Sequence, residues 1–520
     1  MKKKFYITTP IYYINAKPHI GHAYSTIMAD VLARYHRLDG EDVFYLTGTD
    51  ENSQKNIQAA EMQGETNIGA YLDRMSATWQ LTWKTLSITN DDFIRTTESR
   101  HHRAVIEFFK RVEVKGDIYK GIYKGLYCVG CESFKLPREL DNGLCPDHRR
   151  PPQPLEEENY FFRASKYKKR ILKYIENHPK FIQPAERRNE VAAYIQDHFA
   201  DVSISRAWKS AQHSQGVTLG IPVPGDESQA IYVWFDALIN YLTGAGFGYD
   251  EKRFAQYWPA DLHVVGKEII KFHCALWPAM LMGAGLELPK CVFAHGWLTV
   301  EGEKMSKTLG NIVDPLQVEG EYSNDVLRYF LLREFPWGGD GNFSIQRIKE
   351  RYQADLANGL GNLSRRILTL GERMLKNRKS IDIHGLHCGS SCDAFKEFTG
   401  DSWQKYQQAM QEFYPDIATM VTWRYIEAMD RLLETSKPWE LTESNPFDQW
   451  NNAIYPLLEG LRHLAWMLLP LMPETAEQLF RCLGIWTKER QRDLSEAVQW
   501  GLLSTKAMDI RRGEVLFPRL

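Results

Sequence analysis

No stretch of this chain is apolar for long enough to cross a bilayer: the longest run, Ala275 to Leu286, falls well short of the roughly 20 residues a spanning helix needs. The start does not read as a secretory leader either. Met1-Lys2-Lys3-Lys4 is basic, but Thr8, Thr9 and Pro10 follow where an unbroken apolar core would be required. Cysteine is scarce, with 8 in 520 residues, which excludes a disulfide framework and makes the cytoplasm the expected compartment. Net charge is lacking too: 64 Lys and Arg against 66 Asp and Glu leave −2, so nothing global marks a nucleic-acid binder. Charge is concentrated locally instead. From Ile345 to Ser380 nine basic residues face three acidic ones, a segment of +6 suited to phosphate. The length calls for about two to four domains, and there is no internal repeat or low-complexity segment.

Two short polar motifs stand out. His19-Ile20-Gly21-His22 follows a strand-like segment, Lys4 to Thr9, and Lys304-Met305-Ser306-Lys307-Thr308 lies 282 residues further on. Imidazole N–H groups and ammonium groups are what a site needs to hold a polyphosphate and stabilise charge developing on it. His22 to Leu38 has a helical apolar period through Ile27, Val31, Leu32 and Tyr35, and Asp42 to Thr47 reads as a second strand ending at Gly48-Thr49-Asp50. Strand, turn, helix, strand is a parallel βαβ unit, whose ligands sit at the carboxyl ends of the strands, where His19 and Asp50 fall. Further strands are expected at Asp261 to Val265 and Val292 to His295, so the sheet is split by an insertion of about residues 115 to 225. Beyond about 345, long amphipathic helices dominate, including Tyr425 to Ser436 and Trp450 to Met472.

Within the insertion, Cys128-Val-Gly-Cys131 and, after thirteen intervening residues, Cys145-Pro-Asp-His148 form two half-sites with zinc-knuckle spacing. Three thiolates and an imidazole close a tetrahedral set without leaving a position for water, so Zn2+ there is expected to be structural.

The order and spacing of the two motifs, with the aromatic segments between them, resemble class I aminoacyl-tRNA synthetases. The resemblance is strongest to the methionyl-tRNA synthetase family and covers nearly the whole chain. It implies an α/β fold: a Rossmann-type parallel-sheet catalytic domain (1–114 and 226–295), an inserted connective domain with the zinc knuckle (115–225), a stem-contact region with the lysine loop (296–345) and an α-helical bundle that binds the anticodon (346–520). It further implies ATP with Mg2+, L-methionine and tRNA(Met), initiator and elongator, as partners. His19, His22, Lys304 and Lys307 are then the catalytic residues, with Gly21 lending room for adenine and ribose. Ile11, Tyr13, Asp50, Trp234, Ala237, Leu238, Tyr241, Ile269 and His273 are expected around methionine. Asp50 would take its ammonium group, while Tyr13 and His273 offer weak polar contacts. The anticodon is assigned to Asn362, Arg366, Pro438 and Trp439, since unpaired bases are read by stacking on exposed rings and by hydrogen bonds to their edges.

The chain departs from the family pattern in three places. Thr49-Asp50-Glu51 runs into Asn52-Ser53 where His-Gly is usual, so no role of that histidine transfers to Asn52. The lysine loop ends in Thr308 rather than Ser, and Trp208 to Val217 is longer than the usual connection. The chain ends at Phe517-Pro-Arg-Leu520 without an appended dimerisation domain, so a monomer is expected. The rival readings are a synthetase for another amino acid, such as cysteine or leucine, a smaller adenylyltransferase, and a non-catalytic RNA-binding protein derived from a synthetase.

Overall fold

The computed structural model describes residues 2–128, 133–135, 137, 140–146, 149–207, 219–305, 310–377, 390–442, 447–503, 510–511 and 513–520. Its centre is a six-stranded, all-parallel sheet of β1 (Lys4–Tyr13), β2 (Asp42–Asp50), β3 (Asp92–Arg95), β4 (Ile182–Gln183), β5 (Leu262–Gly266) and β6 (Val292–His295), in the order β3-β2-β1-β5-β6-β4. Helix α1 (Ile20–Leu38) makes the crossover between β1 and β2.

Alternation along the strands separates two apolar cores. Phe5, Ile7, Tyr45, Val264 and Phe293 share a core with α1 and the C-terminal helices. Tyr6, Phe44, Leu46, Val265 and Ala294 turn the other way, towards α2 (Ser99–Val114) and the inserted segment. Because both faces are covered, the strands are near-continuously buried, as parallel sheets require.

β1 and β2 pair from Lys4↔Asp42 to Tyr13↔Asp50, with the register shifting between Thr8 and Ile11. Pro10 has no N–H to give the ladder there. Gly48 lies so close to β3 that a Cβ would stand 2.0 Å from the Ile94 carbonyl oxygen.

The insertion is not wholly separate from the sheet. Its two-residue strand β4 pairs in parallel with β6, Ile182 beside Val292, a contact too short to leave a period in the sequence. The rest forms an antiparallel sheet around strands Ile118–Cys128 and Gln153–Phe162, a three-stranded sheet built on Asp226–Ile231, and helices Lys168–Asn177 and Ala185–His198. Residues 208–218, which hold the long connection, lie outside the described residues.

After a small sheet of Leu298–Val300, Glu303–Lys304 and Gly341–Phe343, the chain becomes helical: Ile345–Arg351 runs through a π-helical stretch, Tyr352–Gly361, into Asn362–Asn377, followed by Ser390–Gln411, Pro415–Ser436, Phe447–Leu468 and Pro473–Cys482. The helix Asn324–Glu334 joins this bundle to α1. Its Arg328 pairs with Asp30 of α1 at 2.8 Å and donates to the carbonyls of Pro470 and Leu471, both at 3.0 Å. Among the described residues no helix is long and apolar enough to cross a membrane.

Candidate active site

His19 is the N-cap of α1, and the two histidines close the cap reciprocally. The Gly21 N–H donates to His19 Nδ1 at 3.1 Å, and the His19 N–H donates to His22 Nδ1 at 3.2 Å. With each Nδ1 acting as acceptor, a neutral ring carries its proton on Nε2. The rings stack 3.6 Å apart, and His22 also meets Tyr12 and Trp79 at 5.0 and 4.9 Å. Although both rings keep an edge at the surface, the protein packed around them disfavours charge. Burial pushes His19 down to about 4, and burial, followed by the neighbouring His19, pushes His22 well below its ordinary value. Two neutral Nε2–H donors thus stand at a helix N-terminus, where backbone N–H groups and the dipole also favour an anion.

The lysine loop reaches this cap from the opposite side. A Cβ on Gly21 would meet the His19 ring at 3.0 Å and Met305 Cε at 3.2 Å, so in this structure the space above Gly21 holds a protein methyl group. Ile20 donates its N–H to the Val313 carbonyl at 2.9 Å, which ties the far end of the loop to the first turn of α1. Lys304 ends a strand paired with Thr299; its side chain and the whole of Ser306, Lys307 and Thr308 lie outside what is described.

The residues expected around methionine come from three neighbouring elements. Ile11 and Tyr13 end β1, and the sheet register sets Tyr13 beside the buried Asp50. Ala237, Leu238 and Tyr241 are buried on the short helices Val233–Leu238 and Asn240–Ala245. Trp234, on the first of these, lies flat on Phe272, with centroids 3.7 Å apart and planes 2° apart. The third segment is less regular than its spacing suggests: a 3-10 turn at Lys267–Ile269, a π-helical turn at Phe272–Leu276, and only then an α-helix from Trp277.

His273 Nδ1 donates to the Ile269 carbonyl at 3.0 Å, so its Nε2 accepts from the Tyr241 hydroxyl at 2.8 Å. Burial holds this ring neutral, down to about 4. Both nitrogens are thereby engaged inside the protein. What His273 has left for a thioether is its ring edge rather than the polar contact expected from sequence.

Several residues escaped the sequence reading. Trp79 donates from its indole to the Ala16 carbonyl at 3.1 Å and stacks on Tyr12, supporting the loop that leads to His19. Lys55, at the start of helix Gln54–Met62, places its ammonium 4.4 Å from the Tyr13 ring centroid. Asn52 is fully employed: its Nδ2 donates to Asp236 at 2.7 Å and its Oδ1 accepts from the Gly220 N–H at 3.2 Å. None of these has a local signal, because each partner lies far away in sequence.

Of the four expected zinc ligands, Cys131 and His148 lie outside the described residues. Cys128 ends a strand, Cys145 opens a tight turn in which the Arg149 N–H donates to its carbonyl, and both thiols are buried. Among the described residues no group of three or more His, Cys, Asp or Glu could hold a metal ion.

At the far end of the bundle, Pro415–Ser436 stops at Lys437, whose φ of +41° turns the chain sharply and leaves Trp439 exposed while Pro438 is buried. Arg366, one turn along its helix from the exposed Asn362, sits 5.3 Å from the Trp439 ring and is held by Glu434 at 2.7 Å. The Arg366–Trp439 contact therefore brings two of the four residues assigned to the anticodon together, with Asn362 exposed on the Arg366 helix and Pro438 buried.

A profile described as "tRNA synthetases class I (M)" matches residues 5–154 and 137–368. The chain is 43% identical over 533 residues to the methionine–tRNA ligase of Thermotoga maritima, covering 99% of this chain and 80% of that protein. Against the Streptomyces coelicolor enzyme of the same name it is 38% identical over 542 residues, covering 100% and 97%. Mycobacterium tuberculosis methionyl-tRNA synthetase in complex with methionyl-adenylate matches with a TM-score of 0.92 at 38% identity, over 99% of this chain and 100% of that one. The apo form of that enzyme gives 0.86 at 35% identity, over 100% and 99%. The profile covers the chain as far as residue 368, the relatives and solved structures cover essentially all of it, and the chain belongs to the methionine–tRNA ligase family of class I aminoacyl-tRNA synthetases.

Proposed function

We propose that this chain joins L-methionine to tRNA(Met) in two steps at the carboxyl ends of β1, β2 and β5. The observation that carries the reading is the pair of neutral Nε2–H donors at the start of α1, with Met305 of the lysine motif against Gly21 and Tyr13 set beside Asp50 at the strand ends. In the first step a carboxylate oxygen of methionine attacks the α-phosphorus of ATP, and the bond to the pyrophosphate oxygen breaks. His19 and His22 donate to the phosphate oxygens as charge builds on them, and Lys304 and Lys307 are assigned to the departing pyrophosphate. Magnesium bound with ATP screens the same charge. In the second step the 2′-hydroxyl of the terminal adenosine attacks the methionyl carbonyl and AMP leaves.

Asp50 is assigned to the substrate ammonium, and Ile11, Tyr13, Trp234, Ala237, Leu238, Tyr241, Ile269 and His273 to the rest of methionine. A polarizable thioether gains about 0.3–1.5 kcal/mol against ring edges. Zinc is assigned to Cys128, Cys131, Cys145 and His148, supported by the two buried thiols, Cys128 at a strand end and Cys145; when bound it would brace the insertion. The CAU anticodon is assigned to Asn362, Arg366, Pro438 and Trp439, supported by the exposed ring and its guanidinium neighbour. The corresponding units are 1–114 with 226–295 for catalysis, 115–225 for the connective insertion, 296–345 for stem contact and 346–520 for anticodon binding.

Amino-acid-dependent ATP–pyrophosphate exchange, run with each of the twenty amino acids and no tRNA, tests the reading. Exchange with methionine alone is the expected result. Exchange with another amino acid overturns the pocket assignment, and none at all favours a non-catalytic RNA-binding role.

A further inference from the structure

Asp236 carries a carboxylate that no step above uses. It is fully buried, and each of its oxygens is already held by the protein: Oδ1 lies 2.6 Å from His101 Nε2, and Oδ2 accepts from Asn52 Nδ2 at 2.7 Å. Both holders are anchored in turn. His101 Nδ1 lies 3.0 Å from the Thr243 hydroxyl, which is itself 3.1 Å from the Ile239 carbonyl. Asn52 also donates to the Thr96 carbonyl at 3.3 Å and accepts from the Gly220 N–H. With both oxygens engaged and no surface exposed, Asp236 does not touch a substrate.

Its location gives it another use. Asn52 follows Asp50 by two residues at the end of β2, whereas Asp236 sits between Trp234 and Ala237 on the helix Val233–Leu238. Those flanking residues are the ones assigned above to the thioether end of the substrate, and Asp50 is assigned to its ammonium end. His101, in the first turn of α2, holds the opposite oxygen of the carboxylate. The carboxylate thus links the residue just beyond the end of β2, through Asn52, to the helix that carries Trp234 and Ala237.

We propose that Asp236, gripped by Asn52 and His101, is a positioning residue for methionine, fixing the separation between the ammonium site and the side-chain pocket. This rests on the functional reading of the preceding section. It also gives Asn52 a part that the sequence alone denied it: its amide bridges the strand end to the pocket helix.

The test uses Asp236→Asn and Asn52→Ala in the full chain, with ATP–pyrophosphate exchange measured against methionine and ATP separately and thermal unfolding measured alongside. Asp236→Asn puts an amide where two donors converge; Asn52→Ala removes one grip at a half-buried position and serves if the first variant does not fold. The expected result is a KM for methionine raised roughly 10- to 100-fold, because a displacement of about 1 Å costs that much in a positioned reaction. KM for ATP should stay within about twofold, the methionine-to-norleucine preference should fall, and the double variant should be no worse than the poorer single one. Equal rises in both KM values, a loss of kcat with KM for methionine unchanged, or fully additive effects would overturn the proposal. Wild-type protein that shows no methionine-dependent exchange would instead refute the functional reading on which it rests, and with it the proposal.

Discussion

Arg328 and Asp30 meet at 2.8 Å with neither side chain reaching solvent, and through that contact the signature helix is fastened to the helical bundle. The guanidinium suits the task because its planar fork serves a carboxylate and the two carbonyls of Pro470 and Leu471 at once. Replacing Arg328 by Met leaves the Asp30 carboxylate with Arg34 and Thr89 but without its interdomain partner. The expected cost is about 3–5 kcal/mol, read from urea denaturation. Arg328→Lys should recover little of it, since an ammonium lacks the planar fork that serves the carboxylate and both carbonyls.

His19 has two separable duties. Asparagine caps a helix as well as any residue, so His19→Asn should keep α1 intact while removing the Nε2–H donor. Pyrophosphate exchange should fall roughly 10²–10³-fold, about 3–4 kcal/mol, with the melting temperature unchanged. His19→Ala should lose the same activity and about 1 kcal/mol of stability as well.

Acid should weaken the fold in a defined window. Burial depresses His19 and His273 to about 4, whereas an unfolded chain protonates histidine near 6.5. Between those values the folded state binds fewer protons than the unfolded one, so stability rises with pH across the window and is lost as pH falls from about 6.5 towards 4. Urea midpoints from pH 4 to 8 should show this slope, flattened in His273→Gln. A rate profile with an inflection near 6.5 that disappears in His19→Asn would contradict the neutral assignment.

Trp439 should matter to RNA and not to adenylate formation. Stacking one base on an aromatic ring contributes about 1–3 kcal/mol, so Trp439→Ala should reduce kcat/KM for tRNA about 5- to 150-fold while methionine-dependent exchange stays at its wild-type rate. A parallel loss of exchange would mean that the ring supports the bundle rather than a base.

How much of this was legible depended on the distance over which a residue finds its partner. The histidine cap was readable because its whole geometry lies within four residues, and Asp50 because a strand end in a βαβ unit is predictable from local pattern. The strand Ile182–Gln183 was not, since two residues carry no periodicity and its membership depends on Val292 more than a hundred positions away. The role of Asn52 was hidden for the same reason, as Asp236 is remote in sequence. The segment from Gly266 to Trp277 was hidden for a different reason: apolar spacing does not distinguish an α-helix from a π-helical turn, which shifts where Phe272 and His273 point relative to Trp277.

The methyl group seated over Gly21 means that the edge of the signature proposed to face the nucleotide is already covered by the protein itself. Anything that reaches Gly21 must first evict Met305, so the exchange there trades one nonaqueous neighbour for another instead of stripping water from a bare glycine. Met305 therefore begins as a competitor for the very surface its own motif is assigned to serve, and a ligand seated against Gly21 takes the place of that methyl group.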